Sequence, residues 1–198
     1  MTGKELNELA TEYLTKKDYD KARQYFEEAS EQGEYLAMYN LACMYYFGDG
    51  VEKDDVKAYS WYEKAWRHGD SEAANRVAVM REMGIGTEQN QEEAFKAYLE
   101  SARMGSLSGM ANAGRCYLEG IGTEADIQAG LDWMTKASEG GNGIASLNMG
   151  EYCFEGKYME QSYEMARLFW ERGAAQKYDP CAERLSYLYE NGLCAKEK

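Results

Sequence analysis

The feature that most constrains this chain is a repeat of 36 residues. Glycines lie 36 residues apart at Gly48, Gly84, Gly120, Gly156 and Gly192. Alanines form a second series, with steps of 36, 36, 35 and 37 residues, at Ala22, Ala58, Ala94, Ala129 and Ala166. A fixed period of this length is typical of solenoids, in which neighbouring repeats bury each other. The period therefore indicates a repeat architecture before any local propensity is considered.

Each period contains two amphipathic helices. From Glu34 to Phe47, apolar residues recur at offsets of three, four and seven, which is one stripe of a helix. From about Asp54 to His68 a second stripe follows, with acidic residues in its first turn and basic residues in its last. A glycine is predicted to end this second helix in successive copies, at Gly33, Gly69, Gly105 and Gly140.

The predicted fold is all-α, a right-handed α-solenoid of antiparallel helix pairs in one domain over residues 1–198. We place the repeats at about 5–33, 34–69, 70–105, 106–141 and 142–177, with a half repeat at 178–198. In the half repeat, Asp179 is the predicted N-cap and Pro180 the first helical residue of a single helix ending near Gly192. This unpaired helix is predicted to close the array.

Composition limits the partners and the chemistry. The chain carries 35 Asp plus Glu against 22 Lys plus Arg, a net charge of -13, which disfavours nucleic acid and anionic membranes. No stretch approaches the ~20 apolar residues of a membrane-spanning helix, and the opening ten residues are polar. Five cysteines without a C-x-x-C pair indicate a cytoplasmic protein. A lone histidine, His68, predicts no metal site, and we expect no cofactor and no catalysis.

Within each period the small and aromatic residues form a recognisable motif. In the second copy it reads Ala37-x-x-x-Leu41-Ala42-x-x-Tyr45-x-x-Gly48-x-Gly50-Val51. This motif resembles the Sel-one-like repeat, a relative of the tetratricopeptide repeat, over nearly the whole chain. The resemblance implies a curved helical scaffold that assembles or regulates partner proteins. Two positions depart from the pattern: Arg81 stands where tyrosine is expected, and Tyr158 replaces the second loop glycine.

Several features that resemble functional motifs are interpreted as architecture. The Gly84-Ile85-Gly86 loop follows no strand and precedes no G-K-[ST], so it is predicted to be a helix end rather than a phosphate cradle. Aromatic residues recur at equivalent positions of the second helices and are predicted to form the core between repeats. They are Trp61, Tyr62, Tyr98, Trp133, Phe169 and Trp170.

Three positions of each first helix share a face opposite the core stripe, because they lie at offsets of zero, four and seven. In tetratricopeptide relatives these positions commonly line the ligand groove, so the resemblance implies a concave binding face. Here their residue types do not repeat, unlike those of the core. The predicted partner-binding residues are Tyr39, Cys43, Tyr46, Asn75, Glu82, Arg115, Leu118, Glu151, Phe154, Tyr187 and Glu190.

The predicted function is that of a non-catalytic scaffold or adaptor that binds a peptide or protein segment on this concave face. The alternative is an enzyme or small-ligand receptor that uses the groove carboxylates Glu82, Glu151 and Glu190. The net charge predicts a partner segment that carries Lys or Arg. The unpaired last helix leaves a homodimer open as a further hypothesis.

Overall fold

The computed structural model describes residues 1–195, in which eleven α-helices and no strand are found. The helices are α1 (Gly3–Thr15), α2 (Tyr19–Glu31), α3 (Tyr35–Phe47), α4 (Asp55–Arg67), α5 (Ser71–Met83), α6 (Gln91–Arg103), α7 (Leu107–Glu119), α8 (Ile127–Gly140), α9 (Gly143–Glu155), α10 (Tyr163–Ala175) and α11 (Asp179–Glu190). They form five pairs and one extra helix, as the repeat predicted. The fold is therefore the all-α solenoid class.

The chain divides into two compact units, which are described separately. Unit 1 spans Met1–Met104 and contains α1 to α6, and unit 2 spans Gly105–Lys198 and contains α7 to α11. In each unit the two helices of a pair make the most extensive contacts, and the second helix of each pair also packs on the first helix of the next.

Local sequence sets where the helices begin and end. The second helices of the five pairs begin at a side-chain cap, supplied by Asp18, Asp54, Asn90, Asp126 and Ser162. Four first helices end at a glycine in the left-handed conformation, at Gly48, Gly84, Gly120 and Gly156. The loop glycines therefore act as helix ends, which confirms the architectural interpretation.

Two predicted helix boundaries are wrong by one residue. Gly140 belongs to α8, which runs one residue longer than the other second helices, and Gly141 takes the left-handed conformation with φ of 109° in its place. The N-cap of α11 is Tyr178, which makes no side-chain cap, so Asp179 and Pro180 occupy the first two helical positions. In that position the Asp179 carboxylate lies in the first turn, where negative charge is favoured by the helix dipole.

The two departures from the repeat pattern keep the local structure by different means. Arg81 donates to the Tyr59 hydroxyl (2.9 Å) and pairs with Glu63 (3.0 Å), so ionic contacts occupy the site where the pattern expects an aromatic ring. Tyr158 adopts the left-handed backbone, with φ of 66°, and its ring packs edge-on against Tyr152 at 5.1 Å. The strained conformation is therefore kept without glycine, at a cost of about 1 kcal/mol.

Candidate functional site

A cavity of about 140 Å³ lies between α3 and α5 in unit 1. It is lined by Tyr39, Cys43, Tyr46, Phe47, Tyr62, Arg76, Val79 and Met80. Three of these lining residues, all from α3, are predicted partner-binding residues, and Val79 of α5 occupies the middle of the three face positions, between Asn75 and Glu82. The structure thus brings the predicted faces of two neighbouring repeats together around one cavity, which we call the α3/α5 pocket.

Uncharged polar groups lie at the base of this pocket. Tyr62 comes from α4, and its hydroxyl lies 3.3 Å from the Cys43 sulfur. The ring of Tyr39 packs edge-on against that of Tyr62, with centroids 5.3 Å apart. Burial raises the pKa of the Cys43 thiol and of both phenols above their ordinary values, so all three stay protonated at neutral pH. Because the thiolate is the reactive form of cysteine, this environment suits hydrogen bonding rather than nucleophilic catalysis.

Arg76 brings positive charge to the pocket. Its Nε donates to the Tyr39 hydroxyl at 3.4 Å, and hydrogen bonding to that phenol raises the pKa of the guanidinium. Within residues 1–195 the Arg76 guanidinium has no carboxylate partner. The side chain is exposed on α5. The pocket therefore combines an apolar wall with an accessible cation.

Arg76 is not among the predicted face residues, although the sequence contains a signal for it. Each first helix has three face positions, and the residue directly after the first of them is polar in successive repeats. These residues, 36 apart, are Asn40, Arg76, Asn112, Asn148 and Arg184. Asn40 donates to Asn7 at 3.1 Å, and Arg184 pairs with Glu151 at 2.6 Å. Together with the Arg76–Tyr39 bond, these contacts each join a helix to a face residue of the preceding repeat. At three of its five occurrences, this polar position therefore holds a face side chain of the preceding repeat.

A second group of predicted residues meets in unit 2, between α9 and α11. The ring of Phe154 contacts those of Tyr163, Trp170 and Tyr187, with centroids 5.3, 5.7 and 6.1 Å apart. Tyr187 is 48% exposed, so it presents part of this aromatic cluster to solvent. We call this surface the α9/α11 patch, which also includes Leu147, Glu151, Glu183, Arg184 and Glu190.

The other predicted face residues have different surroundings. Asn75 is 5% exposed and Leu118 is 3% exposed, so neither side chain is available to a partner. Leu118 packs so closely on α8 that a Cβ at Gly130 would lie 2.6 Å from its Cγ. Arg115 pairs with Glu119 one turn along α7, at 3.7 Å. The predicted face is thus part surface and part core.

Two of the three carboxylates that could support catalysis already have partners. Glu82 accepts a hydrogen bond of 2.7 Å from the Tyr98 hydroxyl. Glu151 is paired with Arg184, and burial raises its pKa above the ordinary value although the arginine opposes the change. Glu190 lies exposed near the end of α11. In the part of the chain that the structure describes, no three His, Cys, Asp or Glu side chains converge as a metal site requires.

Comparison with protein families gives a match over almost the whole chain. The family model described as the Sel1 repeat matches residues 7–34, 36–70, 71–106, 107–142, 143–178 and 180–198. No curated protein matches the chain. Within residues 1–195, every helix falls short of the length and apolar character that a membrane-spanning segment needs.

Solved structures agree with this match. A Sel1 repeat protein from Oxalobacter formigenes is 26% identical, with a TM-score of 0.86, and the alignment covers 100% of this chain and 80% of that one. A protective antigen of uropathogenic Escherichia coli is also 26% identical, with a TM-score of 0.67 over 99% of this chain and 50% of that one. An immunity protein from Pseudomonas aeruginosa, 24% identical with a TM-score of 0.59, shares the fold over 81% of this chain and 60% of its own.

Proposed function

The chain belongs to the Sel1 repeat family, and from this membership we propose that it is a non-catalytic scaffold that binds a segment of a partner protein. Proteins of this family are commonly interaction scaffolds. The segment lies on the face formed by the first helices, the concave face of the sequence analysis. The candidate contact surfaces are the α3/α5 pocket in unit 1 and the α9/α11 patch in unit 2, each taken by itself.

The α3/α5 pocket is the observation that carries this proposal. Binding energy at protein interfaces concentrates in a few aromatic or arginine contacts within well-packed pockets, surrounded by polar groups that fix orientation. The pocket offers the rings of Tyr39 and Tyr46 beside the hydroxyl of Tyr62 and the guanidinium of Arg76. In the α9/α11 patch, the rings of Phe154 and Tyr187 contact each other, and Arg184 of the same patch pairs with Glu151. Each of these aromatic sites suits an extended or helical segment.

Charge supports a partner that carries Lys or Arg at the α9/α11 patch. Glu183 and Glu190 are both exposed there, and Glu151 is neutralised by Arg184. The net charge of -13 extends this negative field over the chain. We therefore expect the association rate to fall as salt rises, because dissolved ions largely screen the attraction between exposed charges that are more than about 8 Å apart at physiological ionic strength.

Substitutions on the two surfaces test the proposal once a partner has been isolated by affinity capture and identified. Tyr46→Ala and Tyr187→Ala should each raise the Kd at least about tenfold, because each removes an aromatic anchor. Val56→Ala and Leu168→Ala are matched controls, since both remove an exposed apolar side chain from a second helix. Isothermal titration calorimetry measures the affinities, and thermal denaturation checks that each variant is folded.

The controls also define the contrary result. If Val56→Ala and Leu168→Ala abolish binding while Tyr46→Ala and Tyr187→Ala leave the Kd unchanged, the partner occupies the second-helix side and the proposed surface is wrong. Turnover of a small molecule that persists through extensive purification and is lost on substituting a groove carboxylate would instead favour an enzyme.

Self-association through α11 is a further part of the proposal. On the side of α11 that packs on the other helices of unit 2, Cys181 and Leu188 are completely buried, while Tyr187 stays exposed. We expect a symmetric contact through the exposed side, because cyclic pairs are the commonest oligomers. Light scattering across a concentration series should then show a dimer that Ser186→Glu, at an exposed position of α11 outside the α9/α11 patch, dissociates. A strict monomer at the highest concentration would exclude this contact.

The compartment is proposed on cysteine chemistry. All five cysteines are free thiols, and burial raises the pKa of Cys181 to about 11. Unpaired thiols suit the reducing cytoplasm, where we place the protein.

A further inference from the structure

We propose that the α3/α5 pocket recognises an aromatic side chain with a carboxylate beside it, presented by the partner segment. This inference rests on the proposed function, because it names the chemistry recognised at one part of the same face. It adds a requirement that the net charge of the chain does not predict, namely an acidic group in the partner at this position.

The size of the pocket fits one ring. Its volume is about 140 Å³, close to the ~150 Å³ of an engineered apolar cavity that binds benzene. The walls are mainly apolar, formed by aromatic rings of α3 and by Val79 and Met80 of α5. Tyr39 and Tyr62 already pack edge-on across the base, and a third ring can extend this arrangement, since aromatic groups prefer tilted contacts at 4.5–7 Å.

The charge at the rim determines the second half of the ligand. Arg76 lines the pocket and donates through Nε to the Tyr39 hydroxyl, and among residues 1–195 its terminal nitrogens form no ion pair like that of Arg184 with Glu151. Arginine forms its strongest hydrogen bonds with carboxylates, often two at once. A carboxylate adjacent to the bound ring would supply the missing partner.

Arg184 shows what the same repeat position does when its charge is neutralised. It lies 108 residues after Arg76, which is three periods, and pairs at 2.6 Å with Glu151 of the preceding repeat. The repeat that precedes Arg76 has Cys43 at the position equivalent to Glu151, and the thiol of Cys43 is uncharged. The preceding repeat therefore supplies an acid for Arg184 and has none at the equivalent position for Arg76; the nearest charge of that sign is Glu72, one turn earlier on α5, which helps to raise the pKa of Tyr39. A carboxylate of the partner would pair directly with the Arg76 guanidinium.

The probe is 3-phenylpropionate, which carries only a ring and a carboxylate, compared with 3-phenylpropylammonium, which has the opposite charge. We expect a Kd on the order of 1–10 mM for the acid, from the binding energy per atom of small ligands. Methyl NMR follows Val79 and Met80 at the pocket, with Met134 in the core of unit 2 as an internal reference. The acid should shift the two pocket methyls and leave Met134 unchanged, and the ammonium should bind about tenfold more weakly.

Variants assign the preference to one side chain. Arg76→Gln should remove the discrimination between the two probes, and Arg184→Gln, the matched control, should preserve it. Arg76→Lys keeps the positive charge and should retain part of the preference, so the proposal stays testable if Arg76→Gln is unstable. Equal affinity for both probes, or no shift of the pocket methyls at 20 mM of the acid, about twice the highest expected Kd, overturns the inference.

The partner segment separates this inference from the proposed function. If a segment binds the first-helix face with a Kd that Arg76→Gln leaves unchanged, the scaffold function stands and the acidic requirement is wrong. If the acid probe binds as expected while Tyr46→Ala and Tyr187→Ala do not affect the partner, the pocket chemistry stands and the scaffold surface is wrong.

Discussion

Gly86→Ala is expected to lower the free energy of unfolding of unit 1 by about 3 kcal/mol or more. Gly86 has φ of 66°, a conformation that alanine adopts only with strain. A Cβ at this position would also lie 2.0 Å from the carbonyl oxygen of Asp55 and 2.4 Å from its carbonyl carbon. Asp55 is the first residue of α4, so the clash is with backbone that the helix fixes. Urea denaturation of the variant measures the loss.

Gly69→Ala separates the two causes. Gly69 has φ of 99°, and a Cβ there would meet nothing within 4 Å, so only backbone strain remains. That strain is worth about 1–2 kcal/mol. Equal losses of stability for the two variants would show that the contact with Asp55 costs nothing in solution and that the loop after α5 moves freely away from α4.

This contact explains why the second loop glycine recurs with the repeat. Gly50 lies 36 residues before Gly86, and a Cβ there would come within 2.0 Å of the Cβ of Tyr19, the first residue of α2. In both repeats the loop after a first helix lies directly against the start of the second helix of the preceding repeat. The period in the sequence predicted that these glycines are structural. Which backbone they approach could be known only from the packing.

The fold was predictable because local and global signals agree. Helix caps, stop glycines and apolar stripes recur in phase, so a boundary error of one residue at Gly140 or Asp179 leaves the number and order of the helices as predicted. The face residues were chosen from helical offsets on a single helix, and this method cannot detect burial by a neighbouring helix. Asn75 and Leu118 have the correct offsets and are nevertheless buried.

Part of the candidate site depends on contacts between repeats, and single-helix reasoning could not predict it. Tyr62 was correctly predicted to be a core residue, and it is buried, yet its hydroxyl reaches Cys43 in the α3/α5 pocket. Arg76 differs from Arg184 because Cys43 stands where the other repeat has Glu151. That difference involves two residues in adjacent repeats, so it is visible in the sequence only after the structure shows that the two positions meet.

Gly150→Ala in unit 2 is expected to destabilise the protein by about 2–3 kcal/mol, although alanine is the better helix former by about 1 kcal/mol. Gly150 lies within α9, where a Cβ would come within 2.2 Å of Nε1 of Trp170. The indole is 1% exposed and donates to the carbonyl oxygen of Leu147 at 3.2 Å. It therefore cannot move aside without loss of packing and of that hydrogen bond, and the clash outweighs the gain in helix propensity.

The repeat itself supplies the compensating substitution. Ala78 and Tyr98 lie 72 residues before Gly150 and Trp170, at the equivalent positions. In that repeat, alanine replaces the smaller glycine and tyrosine replaces the larger tryptophan. Trp170→Tyr in the Gly150→Ala background should recover stability, with a coupling energy of about 1–2 kcal/mol in a double-mutant cycle followed by urea denaturation. Strict additivity of the two single substitutions would contradict this complementarity. A recovery would show that these two core positions vary together across the helices of a pair, because the volume gained on one helix has to be given up on the other.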